Sequence, residues 1–339
     1  MASILDLSEP IAVLLRKGTA DAHEKAEHSE GAAWLTRGEL DREEYVRFLM
    51  MLYHVYDTFE RGLDRHASHS VLQPTYNPNL LARTSNLSAD IAHLLQTPEP
   101  SWKSHPVHVE LTSTPPQQLK DYITRLQTLA DSSDPSPLLA HAYVRYLGDL
   151  SGGQFIRRRL AKVYELEDGA GLTFYEFKQL GGSGSSTMGD MKKIKEWYRD
   201  GMNAGVGDDQ DLKARILEEA NIAFELNSGL FTILRAPSNP SIMITSPAAP
   251  PLGEPLTPVE SESPTPSSSP SSPLGEAPKV VFEVKEPEGS YRISAVIALI
   301  VALSLAHFLL VLGGFTGSNG AGKLEAFQHW LRTTFSSSG

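Results

Sequence analysis

An all-α domain followed by one membrane-spanning helix is the fold class this sequence predicts. Three observations carry that expectation. Apolar residues recur at three- and four-residue steps through about the first 235 positions, with almost no alternating strand pattern. A Pro/Ser-rich tract follows, and after it comes a 20-residue run, Ile293 to Leu312, without a formal charge apart from whatever His307 carries. The expected organisation is a helical domain over 1–235, an extended stalk over 236–290, a transmembrane helix over 293–312 and a short tail over 313–339.

The first expected helix runs from Pro10 to about Ala26. The second is long: Tyr45, Phe48, Leu49, Leu52, Tyr56, Phe59 and Leu63 form one apolar stripe behind a D-x-x-E start at Asp41 and Glu44. Others are expected over 116–130, 137–164, 191–203 and 208–231. Pro115, Pro116, Pro135 and Pro137 sit at plausible helix starts, where a missing N–H costs little. The stalk, with text such as SPTPSSSPSSP, holds too little apolar surface to offset its ordering entropy. Beyond it, ISAVIALIVALSLAHFLLVL is apolar on every face and at about 1.5 Å per residue spans roughly 30 Å, the thickness of a bilayer core. His307 is expected there as a tolerated polar residue. No secretory signal is expected, since MASILDLSEPIAVLL lacks a basic start and is interrupted by Asp6 and Glu9. The helical domain is therefore expected in the cytosol.

Composition narrows the chemistry. The chain has no Cys, which excludes disulfides, thiolate metal sites and thiol nucleophiles, and leaves histidine as the leading candidate for a metal ligand. A net charge of -11 argues against a general nucleic-acid binder, which needs a basic surface.

The most unusual text is HAYVRYLGDLSGGQ, His141 to Gln154, where strong helix periodicity runs into Gly148, Gly152 and Gly153. Each interior helical Gly costs about 1 kcal/mol against Ala, so something must compensate. Close helix packing is one reason. A backbone that bends and lies directly on a flat ligand, with Asp149 displayed beside it, is the other, and spacing alone leaves both open. In GTADAHEKAEH, His23 and His28 are five positions apart, about 500° around a helix, so only one faces a given pocket. In IKEWYRDGMN, Lys195 and Arg199 share a helix face beside Trp197 and Tyr198, and Arg16 with Lys17 form a second basic cluster. Either pair suits carboxylates or an ordinary solvated face.

Taken together, these segments resemble the haem oxygenase family over residues 5 to 235. AHAYVRYLGDLSGGQ is the most specific match, supported in order by GTADAHEKAE, LYHVYDTFE, IKEWYRDGMN and ILEEANIAFELNSGLF. The stretch KQLGGSGSSTMGDMKK and residues 66 to 112 depart from the family pattern. The resemblance implies a haem oxygenase-like domain with haem b, as substrate and cofactor, between a proximal and a kinked distal helix. It implies His23 as the iron ligand, Gly148 and Gly152 as the close approach to the porphyrin, and Asp149 as an unpaired carboxylate organising distal waters. Tyr56 joins that network and Arg145 supports it. Arg16, Lys195 and Arg199 match the positions that hold the propionates, with Tyr143 and Gly153 also at the haem and Phe224 and Phe231 walling the pocket. The implied reaction is oxidative cleavage to biliverdin, ferrous iron and carbon monoxide, using O2 and electrons from a separate NADPH-dependent cytochrome reductase. The implied place is a lipid bilayer, that of the endoplasmic reticulum, with the catalytic domain cytosolic.

Overall fold

A computed structural model describes residues 5–167 and 169–238. The expected stalk beyond Ser238, the 293–312 span with His307, and the 313–339 tail lie outside the described residues. Among the described residues no helix is long and apolar enough to cross a membrane.

Twelve helices follow in order: α1 Ile11–Gly18, α2 Ala20–Glu27, α3 Glu30–Arg37, α4 Arg42–Arg65, α5 Pro78–Leu81, α6 Thr84–Leu95, α7 Pro106–Ser113, α8 Gln117–Asp131, α9 Leu138–Leu150, α10 Gly152–Val163, α11 Met188–Val206 and α12 Gln210–Thr232. Short 3₁₀ turns occupy Gln73–Thr75, Glu99–Ser104 and Thr173–Tyr175. No strand forms among these residues, and one isolated antiparallel bridge joins Lys178 to Ser185. The described domain is all-α, as the periodicity predicts.

The expected apolar stripe of α4 is the centre of the core. Tyr45, Leu49, Met50, Met51 and Tyr56 are fully buried, and α6, α8 and α9 pack around them. At about 25 cal/mol per Å² of apolar area removed from water, such a stripe is the main favourable term holding the bundle. The start of α4 differs from the expectation. Asp41 makes no cap bond; its Oδ2 accepts instead from Ser238 N at 3.1 Å and Ser238 Oγ at 2.6 Å. Glu44 pairs with Arg47 and takes Arg235 N at 2.9 Å, while Arg47 donates to Ile233 O at 2.6 Å. The D-x-x-E text thus ties down the chain leaving α12. A reciprocal cap does occur at α11, where Thr187 Oγ1 accepts from Asp190 N and Asp190 Oδ2 accepts from Thr187 N. It moves that helix start three residues ahead of the expected Met191.

Two expected single helices are broken. Residues 10–26 divide at Thr19, whose Oγ1 donates back to Leu15 O at 2.7 Å. Just before it, Gly18 lies against Leu217 of α12, whose Cδ1 a Cβ there would meet at 2.6 Å. Residues 137–164 divide at Ser151, with φ -114° and ψ -92°. Both breaks face the same cavity.

Candidate active site

Between α2 and the α9–α10 pair lies a cavity of about 370 Å³. Its α2 side is built from positions at three- and four-residue steps: Arg16 from the end of α1, then Thr19, Ala20, His23, Ala26 and Glu27. Opposite stand Tyr143, Val144, Leu147, Gly148, Asp149, Ser151, Gly153 and Ile156. Phe48 and Leu52 of α4, Phe224, Asn227 and Phe231 of α12, and Phe174 with Tyr175 close the remainder. The lining is mostly apolar with a few polar groups, as in sites that enclose a flat organic ligand.

Helical phase decides between the two histidines. His23 lines the cavity, its ring edge-on to Phe224 at 5.7 Å and its Nδ1 3.7 Å from Glu27 Oε2. His28 faces away, exposed, with Nδ1 2.8 Å from Glu24 O. The glycines divide as well. A Cβ on Gly148 would meet nothing within 4 Å, so this backbone faces open space, whereas one on Gly153 would sit 3.1 Å from the Tyr175 ring. Ligand approach is the reading that fits Gly148, and close packing the one that fits Gly153. Gly152 is buried at the first position of α10 and is not on the cavity surface.

Asp149 is not unpaired, contrary to expectation. The Tyr56 hydroxyl donates directly to its Oδ2, Arg145 NH2 stands 3.6 Å from its Oδ1, and Arg145 Nε donates to Tyr56 Oη at 3.0 Å. Arg145 NH1 donates to Asn227 Oδ1, and its guanidinium lies over the Tyr56 ring, 5.1 Å from the centroid. The cause is geometric: Arg145 and Asp149 are one turn apart on α9, and Tyr56 on α4 projects from behind. Tyr56 is buried and does not itself line the cavity. Burial pushes the Asp149 carboxyl up to about 6, since Arg145, the Tyr56 hydroxyl and Arg83 oppose desolvation without cancelling it. Burial also raises Tyr56 well above the ordinary phenol range.

Of the expected cations, Arg16 and Arg199 line the cavity. Lys195 stands just behind the wall, its Nζ 3.4 Å from Ser151 Oγ. Lys17 is drawn off by Glu9, at 2.6 Å and 2.9 Å. Tyr143, Phe224 and Phe231 line the cavity. Asn227, Thr19, Phe174, Tyr175 and Ser151 were not anticipated from sequence. Asn227 sits one turn after Phe224 on α12, a spacing that offered the signal.

Comparison with known proteins agrees with this geometry. A family model described as Heme oxygenase matches residues 9–232. Heme oxygenase 2 of Synechocystis sp. is 36% identical over 217 residues, covering 64% of this chain and 80% of that protein. Heme oxygenase 1 of Bos taurus is 34% identical over 231 residues, covering 68% of this chain and 72% of that protein. Among solved structures, the Synechocystis heme oxygenase-2 in complex with heme and NO has a TM-score of 0.58 at 34% identity over 67% of this chain and 85% of that one. The Leptospira interrogans heme oxygenase has a TM-score of 0.56 at 32% identity, covering 66% of this chain and 99% of that one. With a matching family model across most of the chain and an all-helical fold around one slot faced by His23 and Asp149, the chain belongs to the haem oxygenase family.

Proposed function

We propose that the slot binds haem edge-in and that the chain cleaves it oxidatively to biliverdin, ferrous iron and carbon monoxide, with His23 as the iron ligand. The observation that carries this reading is a cavity-facing imidazole set across an apolar slot from an open Gly148 and a buried Asp149–Tyr56–Arg145 cluster. Among the described residues no three His, Asp or Glu side chains gather as a metal cage. A single imidazole fits an iron whose other in-plane ligands come with a porphyrin. Bound haem supplies the iron that activates dioxygen and is also the molecule consumed.

Each residue then has a task. His23 Nε2 would be the ligating atom, with Nδ1 on the side of Glu27, 3.7 Å from its Oε2. Gly148 lets the α9 backbone lie against the macrocycle, and Phe224 and Phe231 pack its apolar faces. Arg16 and Arg199 at the cavity, with Lys195 beside it and Tyr143 at the same edge, meet the propionates. Asp149 Oδ2 accepts directly from Tyr56, and its Oδ1, 3.6 Å from Arg145 NH2 and without a direct hydrogen-bond donor, is the oxygen that orders water and holds or passes a proton over the slot. Arg145 keeps both partners in place. With the carboxyl near 6, Asp149 exchanges a proton close to neutral pH.

Electrons come from a separate NADPH-dependent cytochrome reductase in this proposal. The 236–290 tract serves as a stalk and 293–312 as a bilayer span, holding the catalytic domain on the cytosolic face of the endoplasmic reticulum. What supports the span is its length and its lack of a formal charge over 20 residues. A chain stopped after Ala236 is expected to stay in the supernatant with full activity while the full chain pellets with membranes. Sedimentation of both would remove the anchor assignment.

The activity is tested by supplying the purified chain with haem, O2 and a reductase. Biliverdin absorption with release of carbon monoxide is expected; a stable Soret band would mean a carrier, and no band would mean that the slot does not take haem. His23→Ala should lose the normal ferric spectrum, with added imidazole restoring it. Wild-type spectra from that variant would remove the ligand assignment.

A further inference from the structure

The break at Ser151 comes two residues after Asp149, and two side chains that hold the broken junction, Gln154 and Asp90, are not on the cavity surface. Gln154 is 5% exposed, and its Nε2 donates to Asp149 O at 3.1 Å and to Tyr175 O at 2.8 Å. The first carbonyl belongs to the last turn of α9, where helical partners run out. The second belongs to the Thr173–Tyr175 turn, whose Phe174 and Tyr175 wall the cavity. That turn is gripped from α6. Asp90, 1% exposed, accepts from Thr173 N at 2.9 Å and Thr173 Oγ1 at 2.8 Å through Oδ1, and from Phe174 N at 2.7 Å through Oδ2. Asn86 Nδ2 adds a bond to Thr173 O at 3.0 Å. The Tyr175 ring rests against Gly153, where a Cβ would come within 3.1 Å, so the turn also abuts the first residues of α10.

We propose that Asp90 and Gln154 are positioning residues for the haem-cleaving reaction: Asp90 pegs the 173–175 turn to α6, and Gln154 pegs the broken α9–α10 junction to that turn. The inference rests on the activity proposed above. Neither side chain touches the slot, so the effect on turnover runs through Asp149. The chain of bonds is Asp90, Thr173 and Phe174, Tyr175 O, Gln154 Nε2, Asp149 O. The Asp90 links span 83 and 84 positions and the Tyr175–Gln154 link 21, while Gln154 to Asp149 is local; a buried donor or acceptor left without its partner is costly at any of them.

Asp90→Asn is nearly isosteric but replaces one acceptor oxygen with an NH2 donor, which cannot accept from both sides. Gln154→Glu places carboxylate oxygen beside two carbonyl oxygens. Thr173→Val removes only the hydroxyl bond. The primary readout is amide hydrogen exchange of the haem-free full chain across residues 147–158, far from Asp90 in sequence. Asp90→Asn should speed exchange there by about tenfold and Thr173→Val by about threefold, with α8 unchanged. With haem bound, KM for haem should stay within about twofold while kcat falls about tenfold in Asp90→Asn and Gln154→Glu, as misplacement of one catalytic group predicts. Unchanged exchange across 147–158 in both Asp90→Asn and Thr173→Val would overturn the proposal, as would a parallel loss of KM and kcat. If Asp90→Asn does not fold, Thr173→Val alone decides. A wild-type chain that binds no haem would end the activity reading, and the exchange result would still judge the clamp.

Discussion

Asp149 and Glu219 are both buried carboxylates served by arginine, and they end at opposite extremes. Glu219 is pushed up by burial but pulled further down, to about 2, by Arg125 and His141. Arg125 grips both its oxygens, and His141 Nε2 lies 2.9 Å from Oε1. Asp149 shares Arg145 with Tyr56 and Asn227, receives one direct donor, and stays near 6. Both clusters draw on α9, with His141 two turns before Asp149. The first lies away from the cavity with both carboxylate oxygens bonded; the second leaves one carboxylate oxygen without a direct hydroxyl donor at the cavity wall. A fully matched carboxylate fixes helices, while a partly matched one keeps a proton exchangeable where chemistry is done.

The largest expected separation between the two is in turnover. Asp149→Ala should lower biliverdin formation by about a hundredfold at matched haem occupancy, whereas Glu219→Gln should keep it within about threefold. Single-turnover absorption at equal Soret intensity measures both. Near-equal losses would erase the distinction.

Stability should separate them in the other direction. Glu219→Ala leaves His141 buried beside the vacated acceptor and Arg125 without its fork, costing about 3 kcal/mol in urea unfolding. The pH dependence then reverses sign between them. Folded Asp149 titrates above the ordinary aspartate value, so the folded state binds its proton more tightly, and this group's contribution falls as pH rises from about 4 to about 6. Glu219 titrates below the ordinary value, so its contribution is present above about 4.5 and is lost as pH falls toward about 2. The stability difference between wild type and Asp149→Asn should therefore grow in favour of wild type as pH drops from 6 to 4. For Glu219→Gln it should shrink in the window below. Parallel slopes would contradict the assignment.

The smallest expected effect concerns the glycines beside Asp149. Gly148→Ala meets no atom and should stabilise the haem-free chain by up to about 1 kcal/mol while weakening haem binding. Gly153→Ala must displace the Tyr175 ring and should gain nothing. Thermal melts and haem titration of the two variants check this.

Local pattern made much of this legible. The stripe of α4, the rarity of three glycines after HAYVRYL, and the helical phase separating His23 from His28 are short-range features. What stayed hidden depends on distant partners. The glycines at 148, 152 and 153 point to a bend, but its place at Ser151 depends on the distant 173–175 turn meeting Gln154, and nothing local announces the break at Thr19. Asp149 is read as unpaired because Tyr56 is 93 positions away, and Asp90 carries no local signal because its donors are 83 and 84 positions on. The stretch around 66–112, which departs from the family pattern, forms short helices and turns that pack on α4, on α6 and, at 73–75, on α11.

The central claim is that Asp149, across the slot from His23, directs cleavage without holding the haem. Asp149→Asn keeps the size and hydrogen bonding of the side chain and removes its charge. The decisive measurement loads wild type and this variant with haem to equal Soret absorbance, adds reductase and O2, and follows biliverdin and carbon monoxide together. Wild type should convert its haem, while the variant should bind haem within about twofold of wild type and yield little biliverdin. Equal biliverdin yield from both would contradict the account.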